Sequence, residues 1–198
     1  SQKTASALWQ SADDILSGED DYPLAIVLTG APGIGKTTLA NMLALKLSGN
    51  EFAVTTENGK EVGVDRVRKF MEHMHDSCLF GTGHQCWIIN EGDKITEDGQ
   101  VAFLSLLDSC PSNYHIILTS NEELESWSER FQTRFEVYNI ESPDDDEIAE
   151  GLEERLKPED MSEKLEKLWP KVAEAASDGC GGNVRQAIME IRAWKRKN

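Results

Sequence analysis

The sequence has no long apolar run and no paired cysteine motif. None of its apolar stretches approaches the roughly 18–20 residues that are needed to span a bilayer. Its first residues, SQKTASALWQSADDIL, lack a basic segment followed by an apolar one, so we expect no secretory signal there. We expect a cytoplasmic protein, or a nuclear one in a eukaryote, with reduced thiols rather than disulfides or a zinc site. The cysteines are Cys78, Cys86, Cys110 and Cys180.

Positive charge is also scarce. The 198 residues contain 20 Lys and Arg against 36 Asp and Glu, which gives a net charge of −16 at pH 7. A protein that binds nucleic acid by itself usually presents a positive surface, because neutralisation of phosphates dominates affinity. The segment 141–166 is strongly acidic and the last residues, RAWKRKN, are basic. We therefore expect the isolated chain to bind DNA weakly and with a strong dependence on salt.

Apolar runs alternate with helical patterns through residues 1–141. This alternation predicts an α/β fold, a doubly wound parallel sheet of five strands with helices on both faces. The predicted strands are LAIVLT, EFAVTT, CWIIN, YHIILTS and FEVYNI. Helices are predicted over 64–77 and 97–109. Residues 142–198 show helical patterns only, which predicts a second, small helical domain in which Pro170 kinks or divides the middle helix.

A glycine-rich turn between the first predicted strand and a helix carries the strongest signal. Its sequence, GAPGIGKT, matches G-x-x-x-x-G-K-[ST] in full. Backbone N–H groups of such a loop enclose phosphate oxygens. We expect Lys36 to reach the β- and γ-phosphates and the Thr37 hydroxyl to coordinate Mg²⁺. The residues expected to bind ATP are Gly30, Ala31, Pro32, Gly33, Ile34, Gly35, Lys36, Thr37 and Thr38.

The phosphate loop alone does not separate the classes of nucleotide-binding protein. The sequence has no N-K-x-D element, which argues against a GTPase. A small-molecule kinase would need several arginines around the transferred phosphate, and the acidic segment DDDEIAEGLEERLKPED is a poor candidate for them. A phosphotransferase nevertheless stays open as an alternative.

Four further segments, taken in order, resemble the AAA+ ATPases and within them the clamp-loader group, the replication factor C small subunits and their bacterial and phage equivalents. The resemblance covers about residues 22–195. It rests on TTENGKEVGVDRVRKFME, on WIINEGDKITEDGQVAFLSLLDSCPSNYHIILTSNE, on ERFQTRFEVYNI and on GCGGNVRQAIMEI. It implies a nucleotide-binding AAA+ domain over 1–141 and a helical lid domain over 142–198. It also implies other AAA+ subunits, DNA and a DNA-bound protein as partners.

The resemblance assigns a role to each of four side chains. Glu91 would act as the general base toward the attacking water. Asn121 would orient that water or sense the γ-phosphate, and Arg185 would reach the phosphates from the helical lid. Arg134 would be an arginine finger supplied to the ATP of a neighbouring subunit. Its context, TRF, departs from the S-R-C of the clamp loaders, and Arg130 lies one helical turn away.

Asn90 occupies the position where these ATPases carry the aspartate that contacts Mg²⁺. Asparagine keeps an oxygen that can accept a hydrogen bond from a metal-bound water, but it lacks the negative charge. Asp93 could supply outer-sphere charge. We expect Thr37 and Asn90 to form a weakened metal site and ATP hydrolysis to be slow or to depend on assembly. A subunit that binds nucleotide without hydrolysing it is the alternative.

Two more features follow from the resemblance. Arg66, Lys69 and His73 fall on one face of the helix over 64–77, and the corresponding helix of clamp loaders faces DNA. Solvated charges on an amphipathic helix are an equal alternative. The helical collar through which clamp loaders oligomerise does not follow the lid, so one interpretation is that the chain is a fragment of a longer protein.

Overall fold

A computed structural model describes residues 2–74, 81–121, 124, 127–156, 163–178 and 180–196. The chain divides into two compact units. The sheet unit contains Gln2–Gly30 and Lys36–Ile140, and the helical unit contains Ala31–Gly35 and Glu141–Asn198. Five residues of the phosphate loop are therefore grouped with the helices. The predicted domain division between residues 141 and 142 stays a prediction.

The sheet unit is built on five parallel strands in the order β2-β3-β4-β1-β5. The strands are β1 (Ala25–Thr29), β2 (Val54–Asn58), β3 (Gln85–Asn90), β4 (Tyr114–Thr119) and β5 (Glu136–Asn139). This arrangement confirms the predicted doubly wound parallel sheet. Strand β2 begins later than predicted, because Glu51–Ala53 form a 3-10 turn that the Asn50 side chain caps.

Five helices accompany the sheet. They are α1 (Gln2–Ser17), α2 (Lys36–Ser48), α3 (Val64–His73), α4 (Glu97–Asp108) and α5 (Glu129–Gln132). The end of the helix predicted over 64–77 lies partly outside the described residues. Helix α1 was not predicted, although Leu8, Ala12 and Ile15 recur at helical spacing and are buried against α2 and the sheet.

Side chains of the central strands alternate between two apolar clusters. Trp87 and Ile89 of β3 enter the cluster formed with α3, α4 and α5, whereas Cys86 and Ile88 enter the cluster formed with α1 and α2. Burial on both faces explains why these strands read as continuous apolar runs. Because β1, β3 and β4 are parallel neighbours, their carboxyl ends meet at one edge of the sheet, which is where doubly wound folds bind ligands.

The helical unit has a core of its own. Its helices are α6 (Asp145–Leu156), α7 (Glu163–Ser177) and α8 (Val184–Lys195). Pro170 lies inside α7, so of the two predicted effects it does not divide this helix, and a kink at this position stays a prediction. Trp169 and Ala173, before and after the proline, are buried in the core of the unit. Packing of both turns offsets the backbone hydrogen bond that proline cannot make.

The cysteines that the structure describes are free thiols, namely Cys86, Cys110 and Cys180, while Cys78 lies outside the described residues. Burial raises the pKa of Cys86 and of Cys110 to about 12, so both are protonated at neutral pH. Within the described ranges, no helix is long and apolar enough to cross a membrane.

Candidate nucleotide-binding site

The loop between β1 and α2 has a backbone that only glycine adopts easily. Gly30, Gly33 and Gly35 have φ angles of 141°, 85° and 102°, in the region that side chains with a Cβ disfavour. The G-x-x-G-x-G spacing of the motif therefore matches the positions where the chain turns. Ala31, Pro32 and Ile34 fill the positions between them, and Thr37 and Thr38 follow in the first turn of α2.

The Lys36 ammonium is buried and donates hydrogen bonds to oxygens of the loop and of the residues after β4. It donates to the Gly30 carbonyl at 2.8 Å and to Asn121 Oδ1 at 2.9 Å. Hydrogen bonding of this kind is what makes burial of an ammonium tolerable. The structure thus brings together the loop lysine and the asparagine that follows β4, two residues 85 positions apart that the sequence placed in one site.

Asn90 links the first turn of α2 to β4. The Thr37 hydroxyl donates to Asn90 Oδ1 at 2.9 Å, and the Thr119 hydroxyl donates to the same oxygen at 3.1 Å. Sequence reasoning did not assign Thr119 to the site. The position of Thr119 could have indicated it as a site residue, since it ends β4 two residues before Asn121. Side chains at the carboxyl ends of adjacent parallel strands lie close together.

The Thr37 and Asn90 side chains fit Mg²⁺ by their chemistry. Both present neutral oxygens, the hard ligand type that this ion takes. No group of three or more His, Cys, Asp or Glu side chains suited to a metal occurs among the described residues. A magnesium site here would therefore depend on these neutral oxygens together with the phosphates of the nucleotide.

Glu91 is the only residue other than glycine with a positive φ in the part of the chain that the structure describes, with φ 56° and ψ 50°. Gly59 packs so closely that a Cβ there would lie 2.9 Å from the Glu91 carbonyl carbon. The Glu91 carboxylate is partly exposed and lies 3.7 Å from Lys60 Nζ. A non-glycine residue in this conformation must be held by its surroundings, which is common at functional sites. The contact with Lys60 was not anticipated from the sequence.

Asp93 is almost completely buried, with 3% of its side chain exposed. Its carboxylate lies 2.7 Å from Lys94 Nζ and accepts a hydrogen bond from the Ser120 hydroxyl at 3.3 Å. The neighbouring ammonium balances its charge locally. Asp93 is therefore a weaker source of outer-sphere charge for a metal than its sequence position suggested.

Arg134 does not meet the other predicted residues. Its guanidinium binds Asp108 at the end of α4, with Nε at 3.0 Å and Nη2 at 2.9 Å from Asp108 Oδ1. It borders a surface cavity with Leu24 and Ala25, at the amino end of β1, whereas the phosphate loop follows the carboxyl end. The nearby Arg130 is exposed on α5. Any role of Arg134 in phosphate chemistry thus requires the nucleotide of another subunit.

Arg185 lies near the loop through its backbone. Within the helical unit, its N–H donates to the Gly33 carbonyl at 3.2 Å. Its side chain is exposed, and the structure gives its guanidinium no hydrogen bond or ion pair with the described residues.

The predicted basic face of α3 holds only in part. Arg66, Lys69 and His73 do line one surface cavity of about 180 Å³. Arg66, however, binds Glu57 with both carboxylate oxygens, at 2.8 and 2.9 Å from Nε, and lies over the Trp87 ring. The Glu57 carboxylate raises the pKa of Arg66. This arginine therefore belongs to the fold, and Lys69 is the better candidate for a contact with phosphate.

Comparisons with known proteins agree with this fold. The family model described as Novel STAND NTPase 3 matches residues 22–142. Replication factor C subunit 4 of Saccharomyces cerevisiae is 25% identical over 173 residues, 85% of this chain and 52% of that protein. The replication factor C small subunit of Halobacterium salinarum is 24% identical over 177 residues, 88% of this chain and 53% of that protein. The chain thus spans about half the length of these relatives, and the predicted resemblance to clamp-loader subunits is confirmed.

Solved structures show the same fold. A RuvB protein of Thermotoga maritima superposes with a TM-score of 0.74 at 15% identity, covering 98% of this chain and 62% of that one. A DNA polymerase III gamma subunit-related protein of the same organism gives 0.63 at 19% identity, covering 86% of this chain and 57% of that one. At sequence identities this low, structural similarity shows a shared fold and nothing about function.

Proposed function

This chain belongs to the Novel STAND NTPase 3 family, and we propose that it is the ATP-binding and ATP-hydrolysing AAA+ module of a clamp-loader-like assembly in DNA replication or repair. The single observation that carries the proposal is the convergence of Lys36, Thr37, Asn90 and Asn121 at one edge of the sheet. The names of the relatives, replication factor C subunits, supply the biological setting.

Each residue has a distinct task in this proposal. The N–H groups of the loop and the Lys36 ammonium bind the β- and γ-phosphates. Thr37 and Asn90 would hold Mg²⁺, which supplies positive charge to the phosphates when bound. The Glu91 carboxylate takes a proton from the attacking water, and the Asn121 amide orients that water. Arg185 contacts the phosphates from the helical unit.

We further propose that hydrolysis is slow or dependent on assembly. Asn90 provides no negative charge to the metal site, and Glu91 is engaged by Lys60. Arg134 would complete the site of a neighbouring subunit, and it must first leave Asp108. The proposed partners are other AAA+ subunits, in a homo- or hetero-oligomer, with DNA and a DNA-bound protein, in the cytoplasm or the nucleus.

The same observations support a second candidate. A neutral Asn90 and a general base held by a lysine also suit a subunit that binds ATP and assembles without hydrolysing it. A small-molecule phosphotransferase has less support, because the relatives are named as replication factor C subunits.

Two variants separate binding from hydrolysis. Lys36→Ala should lower ATP affinity by about tenfold or more, since a charge-assisted contact with phosphate is worth roughly 1.5–3 kcal/mol. Glu91→Gln should keep ATP affinity and abolish turnover, because the amide has nearly the same shape and cannot accept the proton. Lys46→Ala, on the same helix as Lys36 but paired with Asp13, is the matched control.

The measurements are calorimetry with ATP and phosphate release with and without DNA, on the full-length protein in its assembly. If Glu91→Gln does not change turnover, Glu91 is not the catalytic base. The second candidate, a subunit that binds ATP without hydrolysing it, would then be the better proposal. Transfer of phosphate to nucleoside acceptors would favour the phosphotransferase. Unchanged ATP affinity in a folded Lys36→Ala protein would overturn the proposal as a whole.

A further inference from the structure

The turn that precedes α8 contacts the phosphate loop within the helical unit. The Arg185 N–H donates to the Gly33 carbonyl at 3.2 Å. The Asn183 side chain covers the α-carbon of Gly33, since a Cβ built there would lie 2.7 Å from Asn183 Cγ, far inside van der Waals contact. The turn therefore contacts Gly33 at two places. The Arg185 N–H binds its carbonyl oxygen, and the Asn183 side chain packs against its α-carbon.

The contact with the Gly33 carbonyl sets the direction of a phosphate-binding donor. A peptide group is planar and trans, so its C=O and N–H point in opposite directions. When Arg185 holds the Gly33 oxygen, the Ile34 N–H of the same peptide faces away from α8. Loops of this type bind phosphate by presenting backbone N–H groups to its oxygens. Rotation of this peptide would withdraw one such donor.

The turn is itself firmly fixed. Gly182 has a φ of 82°, and a Cβ there would lie 2.6 Å from Ser142 Cβ and 3.0 Å from the Pro143 carbonyl oxygen. Asn183 Oδ1 accepts the Gln186 N–H at 3.1 Å and so caps α8. Ala187 and Ile191 then bury α8 in the core of the helical unit. The position of the turn is thus determined by that core.

We propose that Asn183 and the Arg185 backbone N–H are positioning groups that hold the Gly33–Ile34 peptide in its phosphate-binding orientation. The inference rests on the proposed function and adds to it a means by which the helical unit controls nucleotide affinity without a side chain that touches the nucleotide. Asn183 acts through Gly33, so it should affect every nucleotide that occupies the loop. The Arg185 guanidinium, in contrast, is proposed to contact the phosphates directly, and the γ-phosphate is present only in ATP, so this side chain should distinguish ATP from ADP.

Asn183→Ser is the central test. Serine caps a helix about as well as asparagine, so the stability of α8 should be kept while the amide group over Gly33 is removed. ADP and ATP affinities should fall by the same factor, about three- to tenfold, as expected for a loop that must be ordered on binding. Arg185→Ala retains the backbone N–H and should weaken ATP more than ADP. Arg192→Ala, on an exposed position of α8, should change neither.

A double-mutant cycle gives a second measure that does not depend on one variant. Gly33→Ala should weaken both nucleotides, because alanine disfavours the positive φ and meets Asn183. In the Asn183→Ser background the additional loss from Gly33→Ala should be smaller, since the shorter side chain makes room. Calorimetry with ADP and with ATP, and urea unfolding of each variant, provide all the values.

The outcomes separate the positioning role of Asn183 from the proposed nucleotide-binding function. Equal losses for ADP and ATP, with an unchanged unfolding midpoint and a coupling between positions 33 and 183, support the positioning role. Wild-type affinity in Asn183→Ser, or strictly additive effects in the cycle, would overturn it and leave the proposed function intact. If Asn183→Ser loses nucleotide affinity only in proportion to a loss of stability, the role of Asn183 is to cap α8 and not to position the loop. A wild-type chain that binds neither nucleotide would overturn both.

Discussion

Asn90 is the residue that we expect to weaken the proposed metal site. Its Oδ1 already accepts two hydroxyl hydrogen bonds, from Thr37 and Thr119. A carboxylate oxygen at the same place could accept both, so Asn90→Asp should keep the geometry and add only charge. A gain of about 1 kcal/mol in metal binding, acting through water, corresponds to several-fold in affinity. The Mg²⁺ concentration for half-maximal ATP binding should therefore fall several-fold.

A magnesium titration of ATP binding, followed by calorimetry, checks this expectation. Turnover at saturating Mg²⁺ should change less than the half-maximal concentration, because Glu91 is the proposed base in both forms. Identical titration curves for the two proteins would mean that position 90 does not contact the metal shell.

Single residues also mark the limit of what the sequence could predict. Lys36 was assigned to the site by a complete motif and Asn121 by the resemblance to AAA+ ATPases, and a hydrogen bond joins the two side chains. The contact between Lys60 and Glu91 was not predicted, because it depends on how closely the turn at Gly59 approaches the end of β3. No pattern of residue types encodes such a distance between two segments.

At the scale of secondary structure, the central strands were predicted well because burial on both faces leaves a continuous apolar signature. Helix α1 was missed, although its buried residues Leu8, Ala12 and Ile15 recur at helical spacing. Pro170 was expected to kink or divide α7, and it lies inside one undivided helix whose residues Trp169 and Ala173 are buried in the core of the helical unit. Both α1 and α7 thus bury an apolar face in a core of the molecule, α1 in the sheet unit and α7 in the helical unit.

Strands β1 and β4 are linked by a buried histidine that must stay neutral. The Leu24 N–H donates to His115 Nδ1 at 3.0 Å, so the proton of this ring is on Nε2, 2.9 Å from His84 Nδ1. Burial, and then the neighbouring His84, lower the pKa of His115 from 6.5 to about 3. The unfolded chain therefore binds a proton between these values that the folded chain does not. The contribution of His115 to the free energy of unfolding is therefore fully present above about pH 6.5 and is lost as the pH falls toward about 3.

His115→Asn should flatten this dependence. The asparagine oxygen can accept the Leu24 N–H in place of Nδ1, but it does not titrate. The variant should be less stable at pH 7, because it fills less volume, yet lose less on acidification. The difference in slope approaches about 1.4 kcal/mol per pH unit below pH 6. Urea unfolding at pH 7 and at pH 5 measures it, and equal slopes would show that His115 does not carry the effect.

Helix α3 offers a test of which cations stabilise the fold and which make the proposed contact with DNA. Arg66→Ala removes the partner of Glu57, a carboxylate with only 15% of its side chain exposed, and should cost about 1–2 kcal/mol of folding free energy. Lys69→Ala should leave stability unchanged and weaken DNA binding by the assembly. Urea unfolding and fluorescence anisotropy with duplex DNA distinguish the two. If Arg66→Ala instead leaves stability unchanged and weakens DNA binding, Arg66 is a DNA contact.

For the whole molecule, the charge of −16 opposes binding to a polyanion. Local cations such as Lys69 can contact phosphates only against this background, and an assembly that surrounds DNA would add several such contacts. The isolated chain should therefore bind duplex DNA weakly, and binding should fall steeply with salt. Anisotropy titrations at 50 and 200 mM salt, conditions chosen for about a fourfold range, check this. Tight binding by the single chain at the higher salt would contradict it.

Arg134 is the feature that makes the proposed activity a property of the assembly. It is paired with Asp108 and lies at the opposite edge of the sheet from the phosphate loop of its own chain. The pair is half-exposed on both sides and is worth at most about 1 kcal/mol, so assembly could readily break it. Arg134→Ala should keep the ATP affinity of the chain that carries it and lower turnover in the assembly by about 10³-fold, the usual scale of an arginine finger.

Mixing variants distinguishes action across an interface from action within one chain. Lys36→Ala subunits bind ATP weakly but keep Arg134, and Arg134→Ala subunits bind ATP normally but lack the finger. In an assembly that contains copies of this chain, the mixture regains complete sites wherever the first variant presents Arg134 to the second. Phosphate release by the mixture should therefore exceed the sum of the two separate preparations. If the mixture releases no more phosphate than that sum, Arg134 does not act on the nucleotide of a neighbouring subunit.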